Sequence, residues 1–181
     1  MPEWEHAEVV LKEGGVGVLP TDTLYGIVGS ALVPETVERI YELKHRDERK
    51  PLIVLISDIE MLEQFGVVLS EELMGKLAAY WPGPYTVILP TIDDEFSYLH
   101  RGGGTIGFRL PDNDDLRELI RAVGPIVAPS ANIEGRPPAK NITEAQTCFG
   151  SDGDFYVDGG ELTGKPSTIL EFDGEKIRTI R

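Results

Sequence analysis

Leu52-Ile53-Val54-Leu55-Ile56 is an uninterrupted apolar run, the pattern of a strand covered on both faces. A chain that contains one must supply helices to both sides of a sheet. Trp4, Ala7, Val10 and Leu11 have helical spacing over 3 to 13, and Gly14-Gly15 stops that helix before a strand at 16 to 19. Pro34 opens a second helix, with Val37, Ile40, Tyr41 and Lys44 at i, i+3, i+4 and i+7. Lys44 thus ends a helix on its inward face, an unusual place for a charge. Ser57-Asp58-Ile59-Glu60 reads as a capping box for a short helix closed by Gly66. Leu73, Met74, Leu77, Ala78 and Trp81 form another helix, broken by Pro82-Gly83-Pro84.

Strands are predicted at 85 to 89 and 105 to 110, separated by an acidic, glycine-ended loop over 91 to 104 expected to be mobile. In the second strand alternation places Ile106, Phe108 and Leu110 on one face and Thr105, Gly107 and Arg109 on the other. Asp114 and Asp115 start a helix through Leu116, Leu119, Ile120 and Val123, which Gly124-Pro125 ends before a strand at 126 to 128. Thr143 with Gln146 caps a helix to Phe149, and strands follow at 155 to 157, 168 to 172 and 176 to 181, the last two joined by Asp173-Gly174. The pattern is one α/β domain over residues 1–181, with parallel crossovers early and antiparallel strands late.

Three polar clusters lie at the ends of these elements, where open α/β sheets hold ligands. Pro20-Thr21-Asp22-Thr23-Leu24-Tyr25-Gly26 follows an apolar strand and is nearly all hydrogen-bonding side chains. Ser130-Ala131-Asn132 ends a later strand in the same way. Lys44, Arg46, Arg49 and Lys50 crowd around His45 in a chain of net charge −14. That charge repels nucleic acid and anionic membranes in general, yet screening over about 8 Å leaves a local anion site possible. His45 lies between two cations and is not read as an acid–base group.

Other signals carry less. No run approaches a membrane span, and Met-Pro-Glu-Trp-Glu-His is not of signal-peptide type, so a cytoplasmic protein is expected. Cys148, the single cysteine, reads as a buried apolar residue. The stretch 159 to 166 resembles a phosphate-binding loop, but Pro166 stands where a hydroxyl is required and a strand follows. Asp112-Asn113-Asp114-Asp115 lacks the glycine and glutamate of a calcium loop, since Arg117 and Val123 occupy those positions.

With these residues in view, the chain resembles the YrdC family of threonylcarbamoyl-AMP synthases, in its short, single-domain form. The resemblance rests on PTDTLYG at 20 to 26, Lys44-x-Arg46 followed by KPLIVL at 50 to 55, WPGPYTVIL at 81 to 89, and TIGFRLP at 105 to 111. APSAN at 128 to 132, DGG at 158 to 160 and PSTI at 166 to 169 complete it. It implies an open, twisted mixed sheet of parallel and antiparallel strands with flanking helices and a concave ligand cleft. The activity implied is condensation of L-threonine, bicarbonate and ATP to threonylcarbamoyl-AMP and pyrophosphate, with Mg2+ on the ATP phosphates and no metal ligands from the protein. A tRNA-modifying transferase complex would use the product, and a weak tRNA contact would accompany it.

By the same resemblance the threonine site is Thr23, Arg109, the backbone at Ala128, and Ser167. The ATP site is Lys44, Arg46, Lys50, Thr105, Ser130, Asn132 and Arg181, with Lys44 and Arg46 as the catalytic cations. Leu55 stands where some members carry a histidine, Pro138 where some carry a hydroxyl, and the loop 133 to 140 is the candidate lid. The alternatives are an RNA-binding module and carbamoyl-adenylate chemistry as in hydrogenase maturation proteins.

Overall fold

The computed structural model of the protein describes residues 2–91, 94–173 and 176–181. Among these, nine strands form one mixed sheet: β1 Gly17–Pro20, β2 Tyr25–Ser30, β3 Ile53–Leu55, β4 Tyr85–Pro90, β5 Thr105–Arg109, β6 Ile126–Val127, β7 Phe155–Tyr156, β8 Thr168–Asp173 and β9 Lys176–Thr179. Their order is β7-β1-β2-β6-β3-β5-β4-β8-β9. β1 with β7, β3 with β5 and β4 with β8 are parallel, and the other neighbours are antiparallel.

The expected order of parallel strands first does not form. The chain opens with an antiparallel hairpin, β1–β2, in which Pro20 is opposite Tyr25 and only 21 to 24 connect the strands. That connection is too short for a parallel crossover, which takes a dozen residues or more. The first parallel pair is β3 with β5 in mid-chain, β7 and β8 later return parallel to β1 and β4, and β8–β9 is the late antiparallel pair that was expected.

Among the described residues six α-helices flank the sheet: α1 Pro2–Lys12, α2 Pro34–Lys44, α3 Glu71–Leu77, α4 Ser97–His100, α5 Asp114–Val123 and α6 Ile142–Phe149. Val54 points into the larger core with Val18, Ile27, Phe108 and Val87, against Val37 and Ile40 of α2 and Phe149 of α6. Leu55 points the other way, into a smaller core with Leu19, Val28 and Ile126 under Leu11 of α1 and Leu116 and Ile120 of α5. The apolar run is therefore covered on both faces. On the second face α1 and α5 lie over the β1, β2, β6 side of the sheet, while beyond β3 Arg109 of β5 and Ile169 of β8 are outside that helix-covered core and line a cleft instead.

Several boundaries differ from expectation for local reasons. The segment Ile59–Phe65 is a 3-10 helix capped by Asp58, whose carboxylate accepts from the Met61 N–H, while Ser57 donates to Asp58. α6 is capped by Asn141 accepting from Glu144 N–H, with Glu144 accepting in return from Lys140 N–H, so Thr143 lies inside the helix. α3 stops at Leu77, and Trp81 is held separately by an indole N–H bond of 2.8 Å to the Tyr85 carbonyl. The stretch expected as a mobile loop contains a 3-10 turn, Asp94–Phe96, and α4, because Phe96 and Leu99 reach the core from it. Ile92 and Asp93 of that stretch lie outside the described residues, as does Gly174 of the predicted β8–β9 turn. Cys148 is half-buried and packs against the larger core.

Candidate active site

The uncovered part of the second face is the floor of a cleft of about 200 Å³. Arg109, at the end of β5, enters it from below and is only 4% exposed. Its Nη1 donates to Thr23 Oγ1 at 2.8 Å, and Nη2 lies 3.4 Å from the Asp22 carboxylate. Burial pulls the guanidinium below its ordinary pKa and the Asp22 charge opposes that pull, yet an arginine keeps its proton throughout. Two buried atoms there have no hydrogen-bond partner, Arg109 Nε and Asp22 Oδ1. An orphaned N–H on a buried cation bordering a cleft is a donor set for an anion, and the planar fork suits a carboxylate.

The hairpin loop fixes Thr23 by its own chemistry. Thr21 Oγ1 accepts from the N–H groups of Thr23 and Leu24 at 3.2 Å and donates to the Leu24 carbonyl at 2.6 Å, closing the turn. The segment before β8 passes over this loop so closely that a Cβ on Gly164 would stand 2.2 Å from the Thr23 carbonyl oxygen. Tyr25 ties the same segment down, donating to the Gly160 carbonyl and accepting from Gly159 N–H, each at 2.8 Å. Ser167 follows, with its hydroxyl 2.8 Å from Thr86 Oγ1 on the adjacent strand.

Thr23, Arg109, Ala128 and Ser167 line the cleft together with Arg46, Ser130 and Arg181. Three guanidinium groups border it, and no acidic side chain is among its lining residues. In a chain of net charge −14, that concentrates positive potential in one hollow.

The remaining expected site residues stand behind or beside the wall. Lys44 is 2% exposed. Its Nζ donates to the carbonyls of Ser130 at 2.5 Å and Asn132 at 2.7 Å and approaches Asn132 Oδ1 at 3.3 Å. Burial, reinforced by the Arg46 charge, lowers its pKa to about 8. Asn132 is likewise used internally: Oδ1 accepts from Ser130 Oγ at 2.6 Å, and Nδ2 donates to the Ile133 and Arg136 carbonyls. Both residues build the 129 to 136 turn that presents Ser130. Thr105 shares a face with Arg109 but is four residues upstream, about 13 Å along a strand, and is not part of the lining. Leu55 is fully buried under α5, whereas Pro138 does line the cleft.

Lys50 is paired with Glu134. Glu134 also accepts from Asp47 N–H at 2.7 Å, and its own N–H donates to the Lys44 carbonyl at 2.8 Å. The bond from Lys50 holds the Glu134 carboxyl below its usual pKa. The candidate lid is thus latched to the basic loop at 45 to 51. Sequence reasoning missed Asp22 as counter-ion, Thr86 behind Ser167 and Glu134 as latch. Only Asp22 carried a signal, its place inside a hydroxyl loop.

The Sua5_yciO_yrdC family model, described as Telomere recombination, matches residues 9–181. The chain belongs to the Sua5/YciO/YrdC family. A Bacillus subtilis protein named Threonylcarbamoyl-AMP synthase is 38% identical over 173 residues, which cover 93% of this chain and 50% of that protein. A Nitrosococcus oceani protein of the same name is 31% identical over 184 residues, 98% of each. The crystal structure of Pyrococcus abyssi Sua5 complexed with L-threonine superposes with a TM-score of 0.90 at 32% identity, covering 98% of this chain and 53% of that one. The chain spans about half the length of the Bacillus and Pyrococcus proteins. The Sua5/YciO/YrdC likeness thus takes in every cleft residue described above.

Proposed function

We propose that this Sua5/YciO/YrdC chain condenses L-threonine, bicarbonate and ATP into threonylcarbamoyl-AMP, releasing pyrophosphate and water. The observation that carries the reading is Arg109: a nearly buried guanidinium with an orphaned N–H, steadied by Thr23, in a cleft bordered by two further arginines. Arg109 would take the threonine carboxylate, with the Thr23 and Ser167 hydroxyls orienting the ammonium or side-chain hydroxyl. Arg46, Arg181 and Ser130 would receive the nucleotide. The threonine amine attacks bicarbonate, and the resulting carbamate oxygen attacks the α-phosphorus as pyrophosphate leaves. Positioning and charge stabilisation suffice for such a sequence, with no side-chain nucleophile.

Magnesium would be carried by the nucleotide's phosphates and would screen their charge. The described residues contain no group of three or more His, Cys, Asp or Glu that could hold a metal ion. The product would pass to a tRNA-modifying transferase. No helix among the described residues is long and apolar enough to cross a membrane.

The test is incubation with labelled bicarbonate and ATP, with and without each amino acid. Label is expected in an adenylate only with threonine, matched by pyrophosphate. Pyrophosphate release independent of threonine would refute the reading. The latch supplies a further expectation: a phosphate reaching Lys50 must displace Glu134, so Glu134→Gln should tighten ATP binding by a few-fold, about 1 kcal/mol for an exposed pair. Unchanged or weaker affinity by calorimetry would show that Glu134 does not compete with nucleotide.

A further inference from the structure

The basic loop contributes Arg46 to the cleft, and a group outside the cleft holds that loop in shape. Arg46 Nη2 donates to the Pro51 carbonyl at 3.0 Å and Nε to the Lys50 carbonyl at 3.3 Å. The Lys50 carbonyl has a second donor, Tyr41 Oη at 2.7 Å. Tyr41 lies on the inward face of α2, is 3% exposed, and its own carbonyl accepts from Arg46 N–H at 3.0 Å. The Arg101 guanidinium stacks on its ring, 3.9 Å from the centroid, and is paired at 2.9 Å with Glu38, one turn earlier on α2.

We infer that Tyr41 is a positioning residue for Arg46, setting the angle at which that guanidinium enters the cleft. Two bonds from Tyr41, one at each end of the loop, fix the backbone that Arg46 leaves and the carbonyl it returns to. An apolar ring would fill the same core space without the hydroxyl's bond, so burial alone does not call for a phenol here. Arg101 and Glu38 clamp the ring in turn, since a cation over an aromatic face restrains its rotation. A loop held this way presents its arginine pre-ordered, and pre-ordering lowers the cost of binding a phosphate.

The inference rests on the proposed nucleotide reading for its functional consequence, and the test separates the two. Tyr41→Phe keeps the ring and its stacking and removes one hydrogen bond. It should raise KM for ATP about three- to tenfold, leave KM for threonine unchanged, and speed hydrogen exchange at Arg46 Nε. In an Arg46→Ala background the same substitution should add nothing to the loss in ATP affinity, the non-additivity expected of residues acting through one another. Equal effects on both substrates, or additivity with Arg46→Ala, would overturn the inference. If the unaltered protein binds no ATP, the nucleotide reading fails, and the Arg46 exchange measurement still decides whether Tyr41 sets that side chain. Unchanged exchange in Tyr41→Phe would refute it.

Discussion

Arg109→Ala should lower threonine affinity by roughly a hundredfold or more, the loss of a bidentate charge-assisted pair, while ATP affinity changes little. The same substitution should destabilise the fold by about 3–5 kcal/mol, because it leaves a buried charge without its partner. That charge is Asp22, whose side chain is 6% exposed. Asp22→Asn added to Arg109→Ala should therefore recover much of the stability and none of the threonine binding. Arg109→Lys keeps a cation beside Asp22 but loses the planar fork, so it should fold well and still bind threonine poorly. Titration calorimetry with threonine, beside urea unfolding, separates the effects. Wild-type threonine affinity in a folded Arg109→Lys protein would remove the fork from the account.

The sequence was informative wherever local chemistry decides the outcome. Pro34 to Lys44 gave a helix with matching ends because its opening proline, apolar stripe and final lysine agree. The run from Leu52 to Ile56 announced two cores because only a doubly covered strand is apolar at consecutive positions. Arg109 on the polar face of β5 was legible from alternation alone. What failed to show was every relation set by distant chain segments meeting. Nothing local in the run through Thr21 to Tyr25 marks β2, because its pairing is with β1 and β6 and its first residues look like loop. Glu134 sits in a proline-rich turn, and only the fold brings it to Lys50 and Asp47. Lys44 was correctly read as inward-facing, but what it meets there, three oxygens of another turn, depends on β6 ending beside α2.

That meeting changes what removal of Lys44 does. Replacing that ammonium leaves the half-buried Asn132 carbonyl without its donor and the Ser130 carbonyl with only the Asn132 N–H at 3.0 Å. Lys44→Met, which retains the apolar stem, should cost about 1–3 kcal/mol of stability and loosen the turn that presents Ser130. Threonine-dependent pyrophosphate release should fall on the order of a hundredfold, the scale of a misplacement near 1 Å. A pH effect distinguishes this from simple loss of a cleft cation. The folded-state pKa of Lys44 is lowered to about 8 from an ordinary 10.5. Between those values the unfolded chain holds a proton that the folded one has given up, so rising pH favours folding at this residue. Below pH 8 the burial of the charge opposes folding in full. Wild-type stability should therefore climb relative to Lys44→Met from pH 8 toward 10.5. Activity should move the other way over the same range, since a neutral amine has two N–H donors for three oxygens. Parallel stability curves for the two proteins across that window would show that the Lys44 proton is not held as the geometry implies.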